Sequence, residues 1–237
     1  MKLLMTPELL ETCAGGIIFT GDSVLAVRDG RKTQTRRIVN WKWLDGANPQ
    51  FTGYDIGNYC TGVPSSGWVL RSRGGMGCWN DRTRPSKPRY QPGKRYYVKE
   101  TWCKNSDDYL YQCDDPDLRL VDGDGYGVYR KDGSEASPWR SPMFMPRAAA
   151  RYVIEVDTVR VQRLHDITEK DAIAEGVRCW VCNGPVDGTS ENDCGCFHSR
   201  QMARDSFALA WDAINGKRAP WSSNPWIWAI NFHLVTK

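Results

Sequence analysis

Within Gly30-Arg31-Lys32-Thr33-Gln34-Thr35-Arg36-Arg37, four cations flank two hydroxyls. A threonine hydroxyl is a weak nucleophile until a base removes its proton. A lysine amine becomes such a base when neighbouring positive charge disfavours its ammonium form, and Arg31, Arg36 and Arg37 stand in that relation to Lys32. The same residues would also grip a phosphate and a base without reacting, or form a solvated basic turn. A second run has metal chemistry. Cys179-Trp-Val-Cys182 and Cys194-Gly-Cys196, with His198 two residues on, make a C-x2-C…C-x-C-x-H cluster. Four thiolates on short loops complete a closed tetrahedral zinc site, and bound metal supplies folding energy that the Asn/Gly/Pro/Asp-rich segment between them lacks. Cys179, Cys182, Cys194 and Cys196 are therefore the expected ligands of a structural zinc ion. His198 is an alternative ligand or an idle neighbour, and free thiols are the non-metal alternative.

The elements that must position these groups follow from local pattern. Gly15 to Thr20 reads as a short strand. Val24, Leu25 and Val27 fit a helix capped by Asp22 or Ser23, which Gly30 ends in a left-handed conformation. Thr33 to Val39 is β-branched and alternating, so it reads as a strand with Thr33, Thr35, Arg37 and Val39 on one face. From Asn40 to Pro92 the pattern dissolves, and only Trp68-Val69-Leu70 looks extended. Tyr96 to Trp102 alternates as a strand, Tyr109–Tyr111 and Tyr126–Tyr129 suggest a hairpin, and Tyr152 to Val161 is the longest strand signal. Thr168-x-x-Asp171 opens a short helix that Gly176 ends. This puts Glu175 at a helix C-terminus, where the dipole disfavours a carboxylate. Ser199 to Asn215 is the clearest helix, with Ala203, Phe207, Ala210, Trp211 and Ile214 on one face. Trp226 to Val235 reads as a central strand, apolar on both faces. Many strands, few helices and no βαβ rhythm predict an α+β fold built on a small mixed barrel.

The chain has 237 residues, 41% of them apolar and 25% charged, which suits one substantial core rather than a disordered chain. The net charge of +4 is unevenly spread. Residues 71–99 hold nine Lys or Arg against one Asp, whereas residues 107–124 hold seven aspartates. A basic surface with an acidic flap suits a phosphate-bearing partner better than a membrane. The N-terminal apolar run is broken at once by Thr6-Pro7-Glu8, so no signal peptide is read, and nine cysteines with no export signal suggest a cytoplasmic protein.

Three blocks in order carry a resemblance. The run from Gly30 to Arg37 is similar to the G-x-K-T-x-T-x-R signature of ASCH domains, members of the PUA-like superfamily. Pro92-Gly93-Lys94-Arg95-Tyr96-Tyr97-Val98-Lys99-Glu100-Thr101-Trp102 resembles the family's "P-G-D-x-L-W-V-R-E-x-W" strand. Ile167-Thr168-Glu169-Lys170-Asp171-Ala172-Ile173-Ala174-Glu175-Gly176 resembles its "I-T-x-x-D-A-x-x-E-G" helix. With Asn224-Pro225-Trp226-Ile227-Trp228 these blocks span most of the chain. Met145-Pro146-Arg147 looks like an element of larger relatives typical of phage and prophage genomes.

The resemblance implies one PUA-like domain over 1–237. Its insertions are expected at about 40–92 (basic loop), 104–140 (acidic hairpin) and 178–198 (Cys-rich zinc loop). Some small bacterial members of the family are amidohydrolases that deacylate N4-acetylcytidine with a Lys, a Thr and a Glu. That set falls on Lys32, Thr35 and Glu175. Arg37, Glu100 and Arg147 are the accompanying candidates for substrate contact, with a modified cytidine nucleoside or RNA as partner and no organic cofactor. The alternative is a non-catalytic module that binds RNA or a modified nucleotide. The small enzymes lack the Cys-rich insertion and are about half this chain's size.

Overall fold

The computed structural model describes residues 5–39, 51–57, 64–72, 88–105, 108–117, 138–179, 184, 186 and 200–235. In chain order its principal elements are α1 (Pro7–Glu11), β1 (Cys13–Ile18), α2 (Gly21–Arg28), β2 (Gln34–Ile38), β3 (Phe51–Gly57) and β4 (Pro64–Ser72). There follow β5 (Arg95–Lys99), β6 (Trp102–Asn105), β7 (Asp108–Tyr111), β8 (Val153–Arg163), α3 (Glu169–Ala174), α4 (Arg200–Asn215) and β9 (Trp226–Leu234). The chain divides into two compact units, each made of separate segments.

The first unit comprises Met1–Thr33, Lys94–Glu155 and Phe232–Lys237. Here β1 runs parallel to β5, with Ile17 opposite Val98, and β5 runs antiparallel to the start of β8, with Tyr96 opposite Ile154. The hairpin β6–β7 sets Cys103 opposite Leu110. Thus Tyr109–Tyr111 pairs with the strand just before it; Tyr126–Tyr129, its expected partner, lies outside the described residues. Trp102, Tyr111, Met145, Ala149 and Val153 pack as one apolar cluster. The cap of α2 is Thr20, upstream of the expected Asp22 or Ser23: its hydroxyl accepts from Ser23 N at 3.4 Å. Gly30 then turns the chain at φ +72°, a conformation that suits glycine. That turn lets the backbone N–H groups of Arg31 and Lys32 both donate to Ala26 O, at 2.9 and 3.0 Å.

The second unit comprises Gln34–Gly93 and Val156–Asn231. Its β2 runs antiparallel to β9, with Thr35 opposite Ile230 and Arg37 opposite Trp228. Strands β3 and β4 form a separate antiparallel pair. The sequence pattern showed only the middle of β4 and missed β3. A reciprocal capping box opens α3, in which Thr168 Oγ1 accepts from Asp171 N and the Asp171 carboxylate accepts from Thr168 N. Gly176 follows at φ +71°. Ala203, Phe207 and Trp211 of α4 are buried with Leu164, Ala172 and Ile227. Ala210 is exposed, and so is Ile214 at 65%, so the buried stripe is narrower than the spacing implied.

Strands β8 and β9 each contribute residues to both units. The architecture is α+β, with a mainly sheet core and few helices, and among the described residues the strand pairings close no barrel. No helix among them is long and apolar enough to cross a membrane.

Candidate functional site

Burying polar groups is costly, so where a chain does so is informative. Seven polar or charged residues are buried among the described ones, and four of them lie within five positions: Lys32, Gln34, Thr35 and Arg36. Glu100 and Glu175 are two of the others. The basic run is therefore not a solvated turn.

Lys32 belongs to the first unit, and its ammonium lies 5.6 Å from the centroid of the Phe19 ring. Phe19 in turn lies against Phe232, with centroids 5.9 Å apart. Arg31, expected to press on Lys32 as a like charge, is itself paired with Asp29 at 3.3 Å.

Thr35 and Glu175 belong to the second unit. Alternation along β2 sends Gln34, Arg36 and Ile38 to one face and Thr35 and Arg37 to the other. Arg36 Nη1 donates to Glu175 Oε1 at 3.0 Å, and its Nη2 lies 3.4 Å from Asp171 Oδ2. Its guanidinium carbon sits 5.5 Å from the Phe207 ring centroid. Asp171 also accepts from Gln34 Nε2 at 3.0 Å and Arg160 Nη2 at 3.3 Å. Burial alone would raise the Asp171 pKa; the Gln34 hydrogen bond and the Arg36 charge outweigh it and hold the carboxyl below its ordinary range.

Glu175 is the C-cap of α3, as the sequence implied. The Arg36 cation meets its carboxylate there and opposes the helix-end field. Arg37 is depressed from its ordinary pKa by burial, opposed by the charges of Tyr90 and Glu175. In the sequence Arg36 stands out only as a like charge beside Lys32 and Asp171 only as part of a capping box, and their pairing was not foreseen. The only hint was their membership of the two blocks that carry Thr35 and Glu175.

Glu100 lies in the first unit and is 1% exposed. Arg151 grips it bidentately, Nε to Oε1 and Nη2 to Oε2, both at 2.8 Å. The Cys113 thiol donates to Glu100 Oε2 at 3.1 Å. Burial and the adjacent carboxylate push that thiol up to about 12, so it is not a nucleophile at neutral pH. Glu100 and Cys113 line a cleft of about 330 Å³ with Asp22, Thr101 and Gln112. Arg147 is exposed and stacks 5.6 Å from the Tyr97 ring centroid.

Cys179 is buried at 1%, and its N–H donates to Gly184 O at 2.8 Å, while Val186 N donates to Val177 O at 3.2 Å. These two hydrogen bonds pair Val177 and Cys179 with Val186 and Gly184. Cys182, Cys194, Cys196 and His198 lie outside the described residues, as does most of the basic run Asp81 to Arg89. Among the described residues no three His, Cys, Asp or Glu side chains gather as a metal site. No protein-family model, curated protein or solved structure matches this chain.

Proposed function

We propose that this chain is an ASCH-type, PUA-like amidohydrolase that removes the acyl group from N4-acylated cytosine nucleosides. Thr35 Oγ attacks the acyl carbon and forms an ester, and the C–N bond to the exocyclic amine breaks. Lys32 takes the hydroxyl proton, which ends on the departing amine held by Glu175. Water then hydrolyses the ester, releasing the acid and restoring Thr35. Arg37, on the same strand face as Thr35, carries the developing oxyanion. Arg36 is a positioning residue. The observation that supports this reading is the burial of Lys32, Thr35 and Glu175, three polar side chains that a chain removes from water at a cost.

Acetate release from N4-acetylcytidine tests the proposal. Thr35→Ala is expected to lower turnover by at least about a hundredfold, while Thr33→Ala leaves it near wild type. Wild-type turnover in Thr35→Ala would end the reading. Saturable nucleoside binding by the wild type, without turnover, would move the chain to the non-catalytic module.

For the Cys-rich segment we propose a structural zinc ion held by Cys179, Cys182, Cys194 and Cys196. What supports this is the spacing of the four thiols together with Cys179, buried at 1% with its N–H paired to Gly184 O. Elemental analysis is expected to find one zinc per chain, falling to substoichiometric in Cys179→Ser. Metal-free protein with unchanged thermal stability would refute it.

A further inference from the structure

The segment Ser141 to Arg147 holds two large apolar side chains out of the first unit, Met143 at 64% and Phe144 at 73% exposure. The turn that presents them is held at both its ends. Ser141 caps it through Met143 N, Phe144 N donates to Ser141 O at 3.1 Å, and Pro142 occupies its first position. Lys99 Nζ donates to Met143 O at 2.6 Å. Met145 is buried at 3%, and its sulfur accepts from Glu100 N at 3.3 Å. A tip so anchored meets a partner with little further loss of freedom.

Single exposed apolar residues are ordinary; the charge around this tip sets it apart. Arg140 and Arg147 flank Phe144 in sequence, and both are exposed. Their guanidinium carbons lie 5.5 Å from the Trp102 and 5.6 Å from the Tyr97 ring centroids. Neither pairs with a carboxylate among the described residues. Elsewhere in this unit Arg28 and Arg31 are paired with Asp29, Arg95 with Glu155 and Arg151 with Glu100.

We infer that the Met143–Phe144 tip is a stacking contact for single-stranded nucleic acid, with Arg140, Arg147 and Lys99 on the phosphates and Phe144 against an unpaired base. An exposed ring reaches a base face only where the base is not already stacked in a duplex. One aromatic and one thioether are too small an apolar set to anchor a membrane surface, where stable attachment needs a larger inserted face. The inference stands apart from acyl-cytosine hydrolysis, because it concerns an unmodified strand and, Arg147 apart, a different set of residues.

The test is fluorescence anisotropy of a labelled 12-mer of uridine with the full chain, across a salt series. Phe144→Ala is expected to weaken binding roughly 5- to 150-fold with the salt slope retained. Arg140→Gln and Arg147→Gln are each expected to lower the slope of log affinity against log salt by about 0.7. Acetate release from free N4-acetylcytidine by Phe144→Ala should match wild type, which separates this inference from the proposed reaction. Equal binding by wild type and Phe144→Ala would overturn it. So would equal affinity for a duplex of the same length, or binding to phosphatidylserine vesicles but not to the strand.

Discussion

Arg36 shows what one side chain contributes. Its guanidinium and the Glu175 carboxylate are 1% and 6% exposed, so each leaves the other charged and buried if it is removed. Arg36→Met is expected to cost about 3–5 kcal/mol in urea denaturation, whereas replacing Arg36 and Glu175 together by apolar residues should recover most of it. A loss below about 1 kcal/mol for Arg36→Met would mean that water reaches the pair. Nothing in residue type or spacing links Arg36 to Glu175. The pair exists because β2 and the end of α3 meet in the fold, and only tertiary structure carries that information.

At the scale of elements, α3 is held at its start by a reciprocal pair of hydrogen bonds, one of them to a hydroxyl. Thr168→Ala removes the acceptor for Asp171 N and is expected to destabilise the protein by about 1 kcal/mol, measured by thermal or urea unfolding. No change on this substitution would show that the Asp171 half of the box suffices. This helix, the long strand β8, α4 and β9 were all legible in the sequence, because caps and hydrophobic period are local signals. Other elements were not. Strand β3 carries Gly53, Asp55 and Gly57, which mask any alternation. Thr20 caps α2 although Asp22 and Ser23 are equally good chemical candidates, since the choice depends on where the chain enters the first turn. The period of α4 was read correctly, yet Ile214 is exposed, because a period names a face and not how far the covering core extends. The burial of Lys32, Thr35 and Glu175 was not legible, because a polar residue's exposure depends on what the fold packs over it.

For the whole molecule, pH acts through the paired carboxylates. The folded Asp171 carboxyl sits below its ordinary pKa, so it contributes stability that is fully present above the unfolded value and is lost as pH falls through the folded one. Glu155 is lowered too, by its Arg95 partner, but that pair is partly exposed and contributes little. Thermal midpoints are therefore expected to fall on acidification below the ordinary carboxylate range. The fall should be shallower in Asp171→Asn, which starts from a lower midpoint at pH 7. Parallel curves for the two proteins would assign the acid sensitivity to other groups.

The interleaving of segments also has a kinetic consequence. Phe232 N donates to Thr33 O, and Val235 N to Val153 O, so the first unit is closed by residues about 200 positions after its first strand. During synthesis that unit waits for this late stretch, and meanwhile its early strands remain incompletely paired. Chain growth, rather than local helix formation, then sets when the protein becomes resistant to a protease, and ribosome-bound chains stopped before Phe232 should stay cleavable however long they are held.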